Sequence, residues 1–429
     1  MSGGFRPLHG VRIIDFSTNM AGPYATMILA QLGAEVIKVE PPGGDDARHW
    51  PPAIGDGSVV HAHMNAGKRG IVLDLAQAQG QAVALRLLAG ADVVLQSMRP
   101  GVADRIGIGE AACRSVSPDV LYYNLNAFGA GPEGRALPGY DPLVQAFSGI
   151  MRMNGHDGTP LARCAPSVID LGTGQWIATA VLAAMLSRHR GHAVHAMETA
   201  LVDTAFSLVP YQATAAHMSG QRPKRAGSGN PIAAPYQVYP LEGGDMMLAA
   251  PSQRLWERVV AVLAAPELME DERFRTVAAR SRNNAALDEA IQARLAGAGL
   301  DVWISRFRDA GVPVTPVPGL EQSIRSPTAV ERGTMHELDG VPLVRLPWMV
   351  DGRPVLPDRP APCLGEHTME ILAELGFDAV ERDALLSANI VGVCAPPAPV
   401  AHAAVSGDDR AEPATVNNRR AVRVGKKPS

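Results

Sequence analysis

Only four cysteines occur in 429 residues, Cys113, Cys164, Cys363 and Cys394, and no two of them share a C-x-x-C spacing. That scarcity argues against a disulfide framework or a thiolate-bound metal and predicts a reducing, cytoplasmic setting. His49, His61, His63 and His156 lack ligand spacing as well, so no metal is expected. Positive charge is not in excess: the net charge of −4 argues against nucleic acid or a membrane surface as a broad partner, since both require a dominant basic field. The N-terminus has no charged-then-apolar leader, and the apolar run at 176–186 is too short to span a bilayer. A dinucleotide fingerprint is also missing. Residues 17–22 contain no G-x-G-x-x-G, which weakens a nicotinamide-dehydrogenase reading of the opening segment.

What is present is a sizeable apolar fraction, 46%, in a chain long enough for two domains. Residues 11–16 predict a β-branched strand, Ser17-Thr-Asn19 a capping turn, and 24–32 an apolar helix with Pro23 in its first turn. Gly33 ends that helix, and 34–40 predict a second strand, broken by Pro41-Pro42. Strands at 71–73, 92–95 and 120–124 and a helix at 79–89 continue the alternation. The pattern predicts a doubly wound α/β fold with a parallel sheet, whose ligands bind at the carboxyl ends of the strands.

Helices are expected at 143–151, 175–188 and 197–218. A polar Gly/Pro stretch at 220–229 then opens a smaller α+β unit, with a hairpin around Glu242-Gly-Gly-Asp245 and helices at 255–263, 284–295 and 301–310. Residues 312–317 are expected to carry the chain back to the large domain. The expected boundaries are 1–220 for the first part of the large domain, 221–318 for the linker and small domain, 319–394 for the return segment, and 395–429 for a disordered tail. That tail is Pro/Ala-rich and then basic, a composition that builds no core.

One carboxylate stands out. Pro166-Ser-Val-Ile-Asp170-Leu-Gly172-Thr-Gly174 places Asp170 at the mouth of a small-residue turn leading into the helix. An aspartate there caps the helix or acts as a covalent nucleophile, kept ionised by the free N–H groups and dipole of the first turn.

Several segments, in order, resemble the family III CoA-transferases, also called the CaiB/BaiF family. They include Leu8-His-Gly-Val-Arg-Ile-Ile-Asp-Phe-Ser17, Leu32-Gly-Ala-Glu-Val-Ile-Lys-Val-Glu-Pro-Pro-Gly43, Asn65-Ala-Gly-Lys-Arg69, Arg99-Pro-Gly101, Gly139-Tyr-Asp141, Pro235-Tyr-Gln-Val238 and Leu364-Gly-Glu-His-Thr368. The resemblance implies a homodimer of interlocked subunits, each an open ring threaded by the other. It also implies Asp170 as nucleophile, an acyl-CoA thioester and a carboxylic acid as substrates, and no permanently bound cofactor.

The phosphates of CoA need local cations, for which Lys68, Arg69, Arg99 and Arg105 are candidates. The resemblance places the 65–69 turn, the loop carrying Ser97 and Met98, and Arg105 along the CoA site, although Ser97-Met98 stands where the family commonly has Asn-Phe. Asp141 is a candidate to position substrate or tune Asp170, Trp50 to wall an acyl pocket, and the amides around Gly227 and Gly229 to stabilise an oxyanion. Each has a plainer reading: a turn residue, a core aromatic, or linker glycines.

Two neighbouring functions compete. An α-methylacyl-CoA racemase of the same superfamily resembles Gly-His-Asp where this chain has Gly139-Tyr140-Asp141, and the missing histidine favours the transferase. A non-catalytic CoA-binding protein has no need of Asp170. Among the transferases, formyl-CoA:oxalate enzymes resemble a Val-Gln-Ala-Gly-Pro turn and a run of four glycines; here the segments read Asn19-Met-Ala-Gly-Pro23 and Gly227-Ser-Gly-Asn230. A small acid somewhat larger than oxalate, such as succinate, a substituted dicarboxylate or an aromatic acid, is therefore expected.

Overall fold

The structure is a computed structural model and describes residues 4–55 and 57–394. The tail expected at 395–429 lies outside those residues. The β-α-β opening forms as its pattern predicts. β1 (Arg12–Asp15) and β2 (Glu35–Glu40) are parallel and are joined by α1 (Ala21–Gln31). β3 (Arg69–Leu73), β4 (Val93–Gln96) and β5 (Leu121–Asn126) extend the parallel sheet, with α2 (Ala78–Leu88) between β3 and β4.

A sixth parallel strand, β6 (Ala196–Ala200), pairs with β5. Helix was expected there, because Ala-Met-Glu-Thr-Ala carries little β-branching. Its edge position and half-exposed alternation account for the weak pattern. The strand order is β3-β2-β1-β4-β5-β6, so direction reverses between β1 and β4. Open α/β sheets bind ligands at that reversal, beyond the carboxyl ends of the strands. Here it is bounded by the loops that follow Asp15 and Gln96.

Helices cover both faces. On one face lie α1, α3 (Asp141–Phe147) and α4 (Val168–His189); Leu29, Val144, Ile177 and Val181 are buried there. On the other, Val83 and Leu87 of α2 pack with Cys113, Ile371 and Leu372. α4 begins at Val168, not at 175, because Gly172-Thr-Gly174 is helical. A Cβ on Gly174 would come within 2.7 Å of the Ala21 carbonyl and 2.9 Å of the Tyr24 ring, so glycine lets α4 and α1 pack at close range. At 22 residues, α4 is long and apolar enough to cross a membrane by length and composition, which corrects the shorter run expected. Ile169, Thr173, Gly174, Ile177, Ala178, Val181 and Ala184 along it are nevertheless buried in the protein core.

After α5 (Leu201–Ser207) and α6 (Pro210–Ser219), the chain builds a second core. β7 (Tyr236–Leu241) and β8 (Gly244–Ala249) form the expected hairpin. Against it pack α7 (Gln253–Val262), α8 (Asn284–Leu295) and α9 (Leu300–Asp309), burying Trp256, Ile291 and Phe307. β9 (Val314–Pro316) joins this small sheet, antiparallel to β8, before the chain leaves. The segment expected to run straight back therefore contributes a strand first.

The return is anchored in the large sheet. α10 (Thr368–Glu374) packs beside β3, with the Gly70 N–H donating to His367 Nδ1 at 3.2 Å and the Val72 N–H to Thr368 Oγ1 at 3.3 Å. β10 (Val391–Gly392) then pairs antiparallel with β3 and closes that edge as the seventh strand.

Candidate active site

Asp170 is the third residue of α4, behind the N-cap Ser167. The first-turn amides near it are already engaged. The N–H groups of Ile169 and Asp170 donate to Asp141 Oδ2 at 2.9 and 3.3 Å, so Asp141, the buried first residue of α3, caps α4 from outside. Gln145, one turn further along α3, donates from Nε2 to Asp141 Oδ1 at 2.6 Å and accepts the Cys164 N–H at 2.8 Å. Burial, and then the negative charge of Asp141, push the Asp170 carboxyl up to about 7. The expectation that the helix terminus keeps Asp170 firmly ionised is corrected: Asp141 takes those donors and adds a like charge.

The switch-point loops are fastened to each other. The Thr18 N–H donates to Ser97 Oγ at 3.0 Å, linking the ends of β1 and β4. The Met98 N–H donates to Gln96 Oε1 at 2.7 Å, and Met98 lines a cavity of about 250 Å³ with Pro100, Gly101, Tyr122 and Asn124. Arg99 and Arg105 are exposed on this edge; Arg105 donates to the Gly101 carbonyl at 3.3 Å. Neither has an ion-pair partner among the described residues.

Lys68 and Arg69 are placed otherwise, which corrects their reading as phosphate contacts. Lys68 is fully buried, with its ammonium 3.0 Å from Asp15 Oδ2, 2.9 Å from the Pro23 carbonyl and 2.8 Å from Asn65 Oδ1. Arg69 lies at the start of β3 and clamps Glu35, Glu370 and Glu374 at 2.7–3.0 Å, tying α10 to the sheet. Their charges are spent on protein carboxylates.

Sequence reasoning missed the buried network that shapes the first loop. Lys38 meets Asp45 Oδ2 at 2.8 Å and donates to the Ser17 carbonyl at 2.8 Å; Asp45 in turn accepts the Asn19 N–H at 3.0 Å. Arg48 forms a two-point pair with Glu40, both contacts at 2.7 Å. Burial alone would raise the Asp15 carboxyl, but the ammonium groups of Lys68 and Lys38 and the hydroxyls of Ser17 and Thr26 hold it down at about 2. The signal was available: Asp15 and Lys38 interrupt apolar strands, and a charge inside a sheet covered on both faces requires a partner.

Trp50 is half-buried and follows the short 3-10 turn Asp46–His49, its N–H reaching the Ala47 carbonyl at 3.4 Å. The glycine amides are engaged elsewhere: Gly227 N–H donates to the Gly155 carbonyl at 2.9 Å and Gly229 N–H to the Ala226 carbonyl at 2.8 Å. Gly227 has φ +61°, and a Cβ on it would lie 2.2 Å from the His156 ring. Packing against His156 explains this glycine. The oxyanion reading of these two amides is corrected accordingly, because their donors are already used.

A doubly wound sheet with a half-buried carboxylate in the first turn of a core helix is an arrangement that can support covalent acyl transfer. The chain belongs to CoA-transferase family III, whose model matches residues 8–368. It is 32% identical over 392 residues to a succinate–glutarate CoA-transferase of Agrobacterium fabrum, covering 88% of this chain and 97% of that relative. It is 32% identical over 365 residues to an acetyl-CoA:oxalate CoA-transferase of Acetobacter aceti, covering 84% and 94%. The crystal structure of a CaiB/BaiF family protein from Brucella suis superposes with a TM-score of 0.78 at 30% identity, over 87% of this chain and all of that one. The protein is thus an acyl-CoA:carboxylate CoA-transferase by family.

Proposed function

We propose that the protein moves CoA from an acyl-CoA thioester to a small dicarboxylic or substituted acid through covalent intermediates on Asp170. The observation that carries this reading is the Asp170 carboxylate, desolvated beside Asp141 at the start of α4. An Asp170 oxygen attacks the thioester carbonyl carbon, the C–S bond breaks, and CoA leaves as a thiolate, giving a mixed anhydride. The thiolate attacks the Asp170 carbonyl carbon and releases the donor acid as a carboxylate, leaving an aspartyl–CoA thioester. The acceptor carboxylate repeats both steps in reverse. Each C–O or C–S bond broken is matched by one formed, so no energy source or redox partner is needed. Substrates named for the two relatives, succinate, glutarate and oxalate, support a small diacid. Purified protein assayed against a matrix of acyl-CoA donors and free acids tests the reading; hydrolysis without transfer to any acid would sink it.

Only the ionised carboxylate attacks, so kcat/KM is expected to rise about tenfold per pH unit below pH 7 and to level off above it. Asp141→Asn, which removes the like charge, should shift that rise to lower pH. A flat profile between about pH 5.5 and 8.5 would contradict the assignment.

The reading includes a homodimer. Leu143, Phe147, Trp176, Phe206 and Tyr211 on α3, α4, α5 and α6 are exposed, and covering such apolar side chains with a second copy of the chain would remove their area from water. Light scattering is expected to give twice the chain mass, and an active species of single-chain mass would refute it.

A further inference from the structure

We propose that Gln145 is a positioning residue for the transfer reaction, its carboxamide bridging Asp141 and the Cys164 backbone so that the start of α4 presents Asp170 in one geometry. The inference rests on the Asp170 reading above and extends it to a side chain that touches no substrate.

Gln145 is 0% exposed, and both ends of its amide are engaged. The Nε2 group donates to Asp141 Oδ1 at 2.6 Å and lies 3.4 Å from the Cys164 carbonyl, while Oε1 accepts the Cys164 N–H at 2.8 Å. These partners dictate which way the amide points. A backbone N–H only donates and an ionised carboxylate only accepts, so oxygen must face Cys164 and nitrogen must face Asp141. A glutamate there would offer Asp141 no proton when ionised, and an apolar residue would satisfy neither end.

The bridge supports the turn that carries the nucleophile. Asp141 is held one turn before Gln145 on α3, and its other oxygen takes the Ile169 and Asp170 amides. Cys164 lies three positions before Ser167, the N-cap of α4. Gln145 therefore fixes both the cap on the first turn and the chain that leads into it. Arg163 adds to that lead-in, donating to the Ala165 carbonyl at 2.9 Å. Losing the bridge would leave Asp141 Oδ1 and the Cys164 N–H short of partners in a buried site, and the first turn would relax to recover them. Displacing a reacting group by about 1 Å costs on the order of 10²-fold in rate.

Two variants test this, Gln145→Met, which keeps volume but removes both links, and Gln145→Glu, which keeps an acceptor for Cys164 but sets a carboxylate against Asp141. The titratable side chains carried by the neighbouring elements are Asp170, Arg188 and His189 on α4, Arg163 and Cys164 on the lead-in, Arg152 on the short helix Ile150–Met153 and Asp203 on α5, all unchanged in both variants. Assays at one pH near 8 should show kcat lowered by about 10–100-fold with KM for the acyl-CoA within about threefold. The single-turnover rate at which hydroxylamine traps the Asp170 adduct should fall in the same ratio. A kcat within twofold of the parent, or a loss carried by KM, overturns the proposal. If Gln145→Met fails to fold, Gln145→Glu decides by the same criteria. Absence of a trappable Asp170 adduct in the unaltered protein would instead defeat the underlying mechanism, so the two failures are distinguishable.

Discussion

Asp170→Ala is expected to lower the transfer rate by about 10³-fold or more, because the variant has no group to carry the acyl or CoA moiety between donor and acceptor. Binding of acyl-CoA should persist, since the proposed CoA contacts Ser97, Met98, Arg99 and Arg105 are untouched. The fold should persist too. Asp170 pays a desolvation cost whenever it ionises, its folded pKa lying above its unfolded value, so removing it should leave the unfolding midpoint unchanged or raised at pH 8. Calorimetric titration with acyl-CoA and thermal unfolding would be measured beside the assay. Near-normal transfer by the folded variant would end the aspartyl mechanism.

Lys68→Met is expected to cost stability, on the order of 3–5 kcal/mol, while leaving KM for acyl-CoA within about twofold in the folded protein. The ammonium meets Asp15, the Pro23 carbonyl and Asn65 inside the core, and its loss strands all three. Arg99→Ala provides the contrast: it should raise KM for acyl-CoA, more steeply at low salt, with little change in stability, because Arg99 is exposed and free of ion pairs among the described residues. Chemical denaturation and steady-state kinetics on both variants separate the roles. A large KM effect in Lys68→Met without lost stability would return Lys68 to the phosphate site.

Much of the scaffold was legible because local pattern and tertiary burial agree. Ile13, Ile14, Val36, Ile37 and Val39 are apolar where β1 and β2 are buried, and Gly33 turns the chain between α1 and β2 at φ +98°. β6, β9 and β10 were illegible for the opposite reason: they are edge or two-to-three-residue strands whose pairing, more than their composition, defines them. At the site, Asp170 and Asp141 stood out by residue type and family resemblance. Lys68 misled because a cation between a glycine and an arginine reads as surface, yet the turn directs it beneath the start of α1. Gln145 carries no signal of its own; its meaning comes from Asp141, one turn earlier on α3, and from Cys164, brought to it from the stretch that leads into α4.

The closure of β3 by β10 also orders events during synthesis. Arg69 and Glu374, which hold this edge together, are 305 positions apart, and Val391 comes later still. A chain emerging from the ribosome can assemble the compact core around Trp256 and Phe307 while β3 still awaits its last neighbour. The large sheet stays open beside β3 until almost all the described chain has been made, so this edge waits longer for its partner than any other pairing in the sheet. Arg69, placed on that edge, meanwhile presents a charge that discourages wrong pairing before Glu370 and Glu374 arrive.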